Sequence, residues 1–112
     1  MIRFKQYAGD TGRLPTNDKH LNFLWIEPDC FVLFSVSRKG NAASCHFTSD
    51  KPGMEKIRQA INEFVDFVFS EFLWCEMIFA KIRLEKVRKI IRTCGFIWTL
   101  STKKYDLYTR RK

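Results

Sequence analysis

The stretch DKPGMEKIRQAINEFVDFVFS, residues 50–70, is where the hydrophobic period of this chain changes, and its reading decides the fold. Pro52 and Gly53 sit in a polar run that interrupts the pattern before it. From Met54 onward, Met54, Ile57, Ala60, Ile61, Phe64, Val65 and Val68 recur at steps that place them on one face of a helix. The spacing predicts a helix over Met54 to Ser70.

Working outward from this helix, Cys30 to Val36 (CFVLFSV) is a short continuous apolar run, as in a buried strand. SRKGN follows as a hairpin loop, and Ala42 to Thr48 (AASCHFT) returns antiparallel to the first strand. Beyond the helix, LWCEMIFAKI is apolar on both sides, which predicts a central strand. Leu84, Val87, Ile90, Ile91 and Cys94 form the apolar face of a second helix, Leu84 to Cys94, with Gly95 where a C-terminal cap belongs. FIWTLS and KYDLYTR close the chain as a hairpin around Thr102-Lys103. The helix from Met54 then joins two parallel strands by a right-handed crossover. The expectation is an α/β (α+β) fold: one domain over residues 1–112, with a mixed sheet and helices packed on it, and residues 30–112 as its core.

Residues 1–29 are poorly defined by pattern. IRFKQY reads as an edge strand and GDTGRLPTND as a loop, while KHLNFLWI fits a short helix or a strand.

The chain has 112 residues, enough to bury a core without staples. Apolar residues make up 46%, including 11 Phe, which argues against disorder despite 29% charged residues. The N-terminus lacks the apolar core of a signal peptide. Phe64 to Ala80 is interrupted by Asp66, Glu71 and Glu76, so it reads as no membrane span. Cys30, Cys45, Cys75 and Cys94 are widely spaced in apolar company, as expected for free thiols in a reducing compartment. Cys45 and His46 are neighbours on a strand and point to opposite faces, so they do not share a metal, and no metal site is expected. Trp98 is the best candidate for an exposed aromatic, though its strand setting favours the core.

The net charge is +8 and unevenly placed. Lys81, Arg83, Lys86, Arg88, Lys89 and Arg92 face only Glu85 in the same segment, and Lys103, Lys104, Arg110, Arg111 and Lys112 follow in the tail. Such clusters attract phosphate. Lys86, Arg88, Lys89 and Arg92 recur at helical spacing as one stripe, a surface for nucleic acid or for an acidic protein partner. A solvated helix face is the plain alternative.

The order of elements from Cys30 to the end, about three-quarters of the chain, resembles the GNAT superfamily of acetyl-CoA-dependent N-acetyltransferases. That family carries a pyrophosphate loop, Q/R-x-x-G-x-G/A, between a central strand and the next helix. Here the position reads Asp50-Lys51-Pro52-Gly53-Met54-Glu55, and only Gly53 matches. The family's last helix often reads N-x-x-A…Y…G-F. Gly95-Phe96 match, Val87 takes the small apolar position, Leu84 replaces the Asn and Ile91 the Tyr. The chain is similar to short, degenerate GNAT-like proteins encoded by phages.

The resemblance implies an acetyl-CoA site at Lys51, Gly53, Met54 and Lys56, or no cofactor where the loop has degenerated. Lost glycines limit backbone approach to the pyrophosphate, Pro52 removes one N–H, and Lys51 and Lys56 supply compensating charge. It further implies His46 as a base whose tautomer Glu76 would fix, if the two share a face. Two functions follow: a non-catalytic phage accessory or virion-associated protein in the host cytoplasm, or an active N-acetyltransferase on a small or peptide amine.

Overall fold

The computed structural model describes residues 4–9 and 21–112. One seven-stranded mixed sheet runs through it. In chain order its strands are β1 (Phe4–Gln6), β2 (Leu21–Glu27), β3 (Cys30–Lys39), β4 (Ala42–Ser49), β5 (Met77–Ile82), β6 (Ile97–Ser101) and β7 (Asp106–Arg111). The spatial order is β1-β2-β3-β4-β5-β7-β6, and every pairing is antiparallel except β4 with β5. That one parallel pair is the crossover predicted across residues 50–70.

The predicted helix is there, but it is broken. A short α1 (Lys51–Glu55) precedes α2 (Ile57–Glu71), with Lys56 at φ −105°, ψ 13° between them. Asp50 caps α1: its carboxylate accepts from the Gly53 N–H at 2.7 Å. α2 then buries Ile57, Ala60, Ile61, Phe64, Val65 and Val68, the residues its period selected. These pack on the β3 face that carries Val32, Phe34 and Val36, and Phe34 and Phe64 stack at 4.1 Å with planes 9° apart. Phe4, Phe23, Phe67 and Phe72 extend the aromatic layer toward β1 and β2.

α3 (Glu85–Thr93) lies on the same side and buries Val87 and Ile91. It ends in a Schellman motif: Phe96 N–H reaches the Ile91 carbonyl and Gly95 N–H the Arg92 carbonyl, both at 3.4 Å. Gly95 has φ +83°, and its missing side chain makes room for the Arg110 guanidinium, so the glycine anticipated there serves both backbone and packing.

Two expectations need correcting, and one open alternative is settled. LWCEMIFAKI forms a strand only from Met77. Leu73 is exposed, while Trp74 lies against Phe72 and under Arg38. KHLNFLWI resolves from Leu21 as strand β2, with Phe23 and Trp25 facing the core. Trp98 is 52% exposed on edge strand β6, held by its indole N–H to Ser101 Oγ at 3.1 Å, because among the described residues no strand pairs with the outer side of β6. The 10–18 loop and His20 lie outside the described residues.

Candidate functional site

The site follows from how β4 and β5 part. They pair over Ala42–Met77, Ala43–Ile78, Ser44–Phe79 and Cys45–Ala80, and then diverge. β4 continues through His46, Phe47, Thr48 and Ser49 without β5 beside it. A strand that leaves its neighbour exposes backbone donors and acceptors along both inner edges. The V between them opens into a cleft of about 780 Å³. Its floor is apolar: Phe34, Ile61, Phe64, Val65, Val87 and Ile91 line it from β3, α2 and α3. Its rim is polar, with His46, Thr48 and Ser49 on β4, Lys81 and Arg83 at the end of β5, and Lys104 and Tyr105 in the turn between β6 and β7.

Alternation assigns these groups to faces. Phe34 and Phe47 are paired in register, and Phe34 stacks on α2, so that face is the helix side. Ser35 and His46 are the next pair and point the other way. On β5, Ile78, Ala80 and Ile82 are buried and Lys81 alternates outward, with its Nζ 5.4 Å from the Tyr105 ring centroid. His46, Lys81 and Tyr105 therefore surround the mouth of the V that faces away from α2 and α3.

Glu76 does not join them. It precedes β5, where its N–H bonds the Asn41 carbonyl and its carbonyl accepts from Lys112. His46 stands level with residue 81, five residues further along, roughly 16 Å away at strand rise. The expected His46–Glu76 pair is not formed, because the parallel register puts the two at opposite ends of the seam.

The four expected cofactor residues also separate. Met54 lines the cleft. Lys51 is exposed, and Lys56 reaches toward Glu27 at 3.9 Å. Gly53 is buried against β3, where an added methyl would meet the Phe31 carbonyl oxygen. Asp50 completes this corner: one carboxylate oxygen accepts from the Gly53 N–H and from the Phe31 N–H at 3.0 Å. Met54 N–H bonds the Asp50 carbonyl, and Pro52 has no N–H. The Lys51 N–H is the one donor of that turn not already engaged among the described residues. A carboxylate thus sits where the resemblance places a pyrophosphate. Asp two residues before Pro is a helix N-cap signature, and it was the signal in the sequence for this arrangement.

The fit to coenzyme A is therefore divided. The V is open between two strand edges, where an extended arm would have room, whereas the corner the resemblance gives to the pyrophosphate holds the Asp50 carboxylate, which would repel a second anion. Ile91, in the position of the family's tyrosine, is a buried aliphatic wall of the cleft and carries no proton.

The stripe on α3 divides too. Arg88 turns toward the sheet, 3.1 Å from Asp106 and 3.3 Å from Glu85. Arg92 lies over Tyr108 and donates to its hydroxyl at 3.3 Å. Lys86 and Lys89 remain as the exposed pair without such contacts. The expectation of one stripe of four is corrected accordingly, since Asp106 supplies a counter-charge to Arg88 from a distant part of the chain.

All four cysteines are free, and burial raises each thiol above its ordinary range, most strongly at Cys45, where the nearby Cys75 adds to the effect. No three or more His, Cys, Asp or Glu residues among those described are grouped to hold a metal ion. Among the described residues, no helix is long and apolar enough to cross a membrane.

No family model matches the sequence, and no curated protein matches it either. Solved structures do match. The N-acetyltransferase PseH of Campylobacter jejuni superposes with TM-score 0.69 at 13% identity, over 86% of this chain and 70% of that one. PseH has also been solved in complex with acetyl coenzyme A, and that structure superposes with TM-score 0.70. A chimera of the Vibrio cholerae spermidine N-acetyltransferase SpeG gives 0.66 at 16% identity, over 85% and 68%. The aminoglycoside acetyltransferase AAC(6')-Ib, in complex with coenzyme A, gives 0.65 at 9% identity, over 85% and 68%. With a seven-stranded mixed sheet, one parallel seam and helices packed on it, this chain has the fold of the GNAT N-acetyltransferases.

Proposed function

We propose that this chain is a GNAT-fold protein that keeps the β4–β5 cleft as a ligand site but has given up acetyl transfer. The observation that carries this reading is the Asp50 carboxylate seated on the first turn of α1, with 2.7 and 3.0 Å hydrogen bonds to Gly53 and Phe31. A phosphate brought there would compete with a covalently attached anion for the same N–H groups. The distance between Glu76 and His46, and the aliphatic Ile91, point the same way. In this reading the chain is an accessory protein of a phage, working in the host cytoplasm or carried with the virion, and Lys86 and Lys89 offer its exposed basic face to nucleic acid or an acidic partner.

One observation favours the other reading, an acetyl-CoA-dependent transferase on a small or peptide amine: the two strands still splay over an open, apolar-floored cleft. The amine would then not be a polycation such as the spermidine named for SpeG, since Lys81, Arg83 and Lys104 line the rim with no carboxylate among the described residues.

Thermal unfolding with and without acetyl-CoA separates the two. A ligand at 100 times its dissociation constant stabilises by about 2.7 kcal/mol, which is roughly ten degrees for a domain near 100 residues. No shift at millimolar acetyl-CoA is the expected result. A shift of that size, together with release of free thiol on adding amines, overturns the non-catalytic reading.

A further inference from the structure

We propose that the mouth of the cleft facing away from the helices binds a small, multiply charged anion of the phosphate-ester class. This rests on the reading that the cleft is a retained ligand site, but not on what happens at the Asp50 corner.

The argument begins with which cations are already engaged. Arg88 is held by Asp106 and Glu85, Lys56 reaches toward Glu27, and Arg92 lies on Tyr108. Lys81, Arg83 and Lys104 have no carboxylate within ion-pair distance among the described residues. They come from two separate elements, the end of β5 and the turn between β6 and β7, and converge on one rim. Like charges brought together repel, and an anion placed between them relieves that repulsion. Lys81 is steered by its position over Tyr105, so its ammonium is held at the rim. Arg83 adds the fork of donors that matches phosphate oxygens. His46 and Thr48 stand opposite, on the same face of β4. Three cations and no acid in the described lining select a multiply charged anion over a zwitterion or an amine.

The experiment uses the full chain at about 150 mM salt, where exposed charges beyond roughly 8 Å are screened. The probe is inorganic pyrophosphate, followed by titration calorimetry, with spermidine in parallel. The triple variant Lys81→Gln, Arg83→Gln, Lys104→Gln removes the rim. The double variant Lys86→Gln, Lys89→Gln removes the same kind of charge from the outer face of α3. All five side chains are on exposed residues, and circular dichroism checks that both variants fold. Saturable pyrophosphate binding, weakened tenfold or more in the triple variant and less than threefold in the double, is the expected result. Equal loss in both, no saturable binding by the wild type, or binding of spermidine overturns the proposal. Acetyl-CoA is titrated separately with amines present: if it binds wild type and triple variant alike and releases free thiol, the non-catalytic reading falls while the pyrophosphate result still decides the anion site.

Discussion

Replacing Gly53 by alanine tests whether this glycine serves phosphate approach or packing. In the family's loop a glycine lets backbone come close to the pyrophosphate, and losing it should leave the empty protein's stability alone. The geometry here says otherwise. The added methyl would fall inside the envelope of the Phe31 carbonyl oxygen, 2.9 Å from Asp50 Oδ1 and 3.0 Å from Val32 Cγ2. An ordinary carbon–oxygen contact is no shorter than about 3.3 Å, so α1 has to move off β3. Two of the three atoms it meets cannot swing aside: one is backbone, and the other is the cap that holds both Gly53 and Phe31. Overpacking of this kind costs about 1–3 kcal/mol, and disturbing the cap adds about 1 kcal/mol. Alanine's better helix propensity returns at most about 1 kcal/mol, for a net loss near 2 kcal/mol. At about 2.1 cal/mol/K of unfolding entropy per residue, that lowers Tm by roughly 8 °C. Calorimetric melts of wild type and Gly53→Ala at one pH measure it. A variant that melts at or above the wild-type temperature would refute the packing argument and restore the phosphate reading of Gly53.

Phe64→Ala removes the ring stacked on Phe34 in the middle of the core and should cost about 3–5 kcal/mol, seen as a large drop in the denaturant midpoint; a loss under 1 kcal/mol would contradict the packing described. The buried thiols set a pH dependence. Burial raises Cys45, Cys75 and Cys94, so the folded state keeps protons that the unfolded chain releases near pH 8.5–9. Their contribution is complete below that pH and is lost as pH rises above it, so between pH 8 and 10 Tm should fall more steeply for wild type than for Cys45→Ala, Cys94→Ala. Parallel slopes would remove the thiols from the account. If nucleic acid binds, Lys86→Gln, Lys89→Gln should flatten the salt dependence by about two units of slope at most, and Arg88→Gln by much less, because Arg88 is already paired. Equal effects from all three positions would mean the stripe acts as a whole.

From Cys30 onward the fold was legible because the local signals agreed with one another. The period of Ile57 to Val68, the Gly40-Asn41 hairpin and the Gly95 cap each have one good structural solution. The N-terminal part resisted because β2 is apolar on both faces: Leu21, Phe23, Leu24, Trp25 and Ile26 give no alternation to count. The candidate site was legible by region and not by partner. His46 was singled out by its place on the strand before the loop, and the structure sets it on the rim of the cleft. Its proposed companion Glu76 was misplaced because parallel register, which decides what lies beside what, leaves no mark in the sequence. Asp106 and Tyr105 were missed for a related reason: Asp106 meets Arg88 of α3 from 18 positions away, and Tyr105 meets Lys81 of β5 from 24 positions away, through packing that local pattern does not encode.

The seam between β4 and β5 has a mechanical consequence. Four residue pairs join them, whereas β3 and β4 share eight and β5 and β7 share six. The sheet is two antiparallel halves, the meander β1–β4 and the set β5-β7-β6, fastened along a short zip, with α2 packed on the helix side. Cooperative opening units tend to follow such divisions, so amide exchange should show the zip yielding before either half frays. A ligand that threads the V would extend the zip from its open end and act as a splint. Its arrival would register as slower exchange along His46 to Ser49 and Lys81 to Ile82, amides that no ladder bond across the join protects in the free protein.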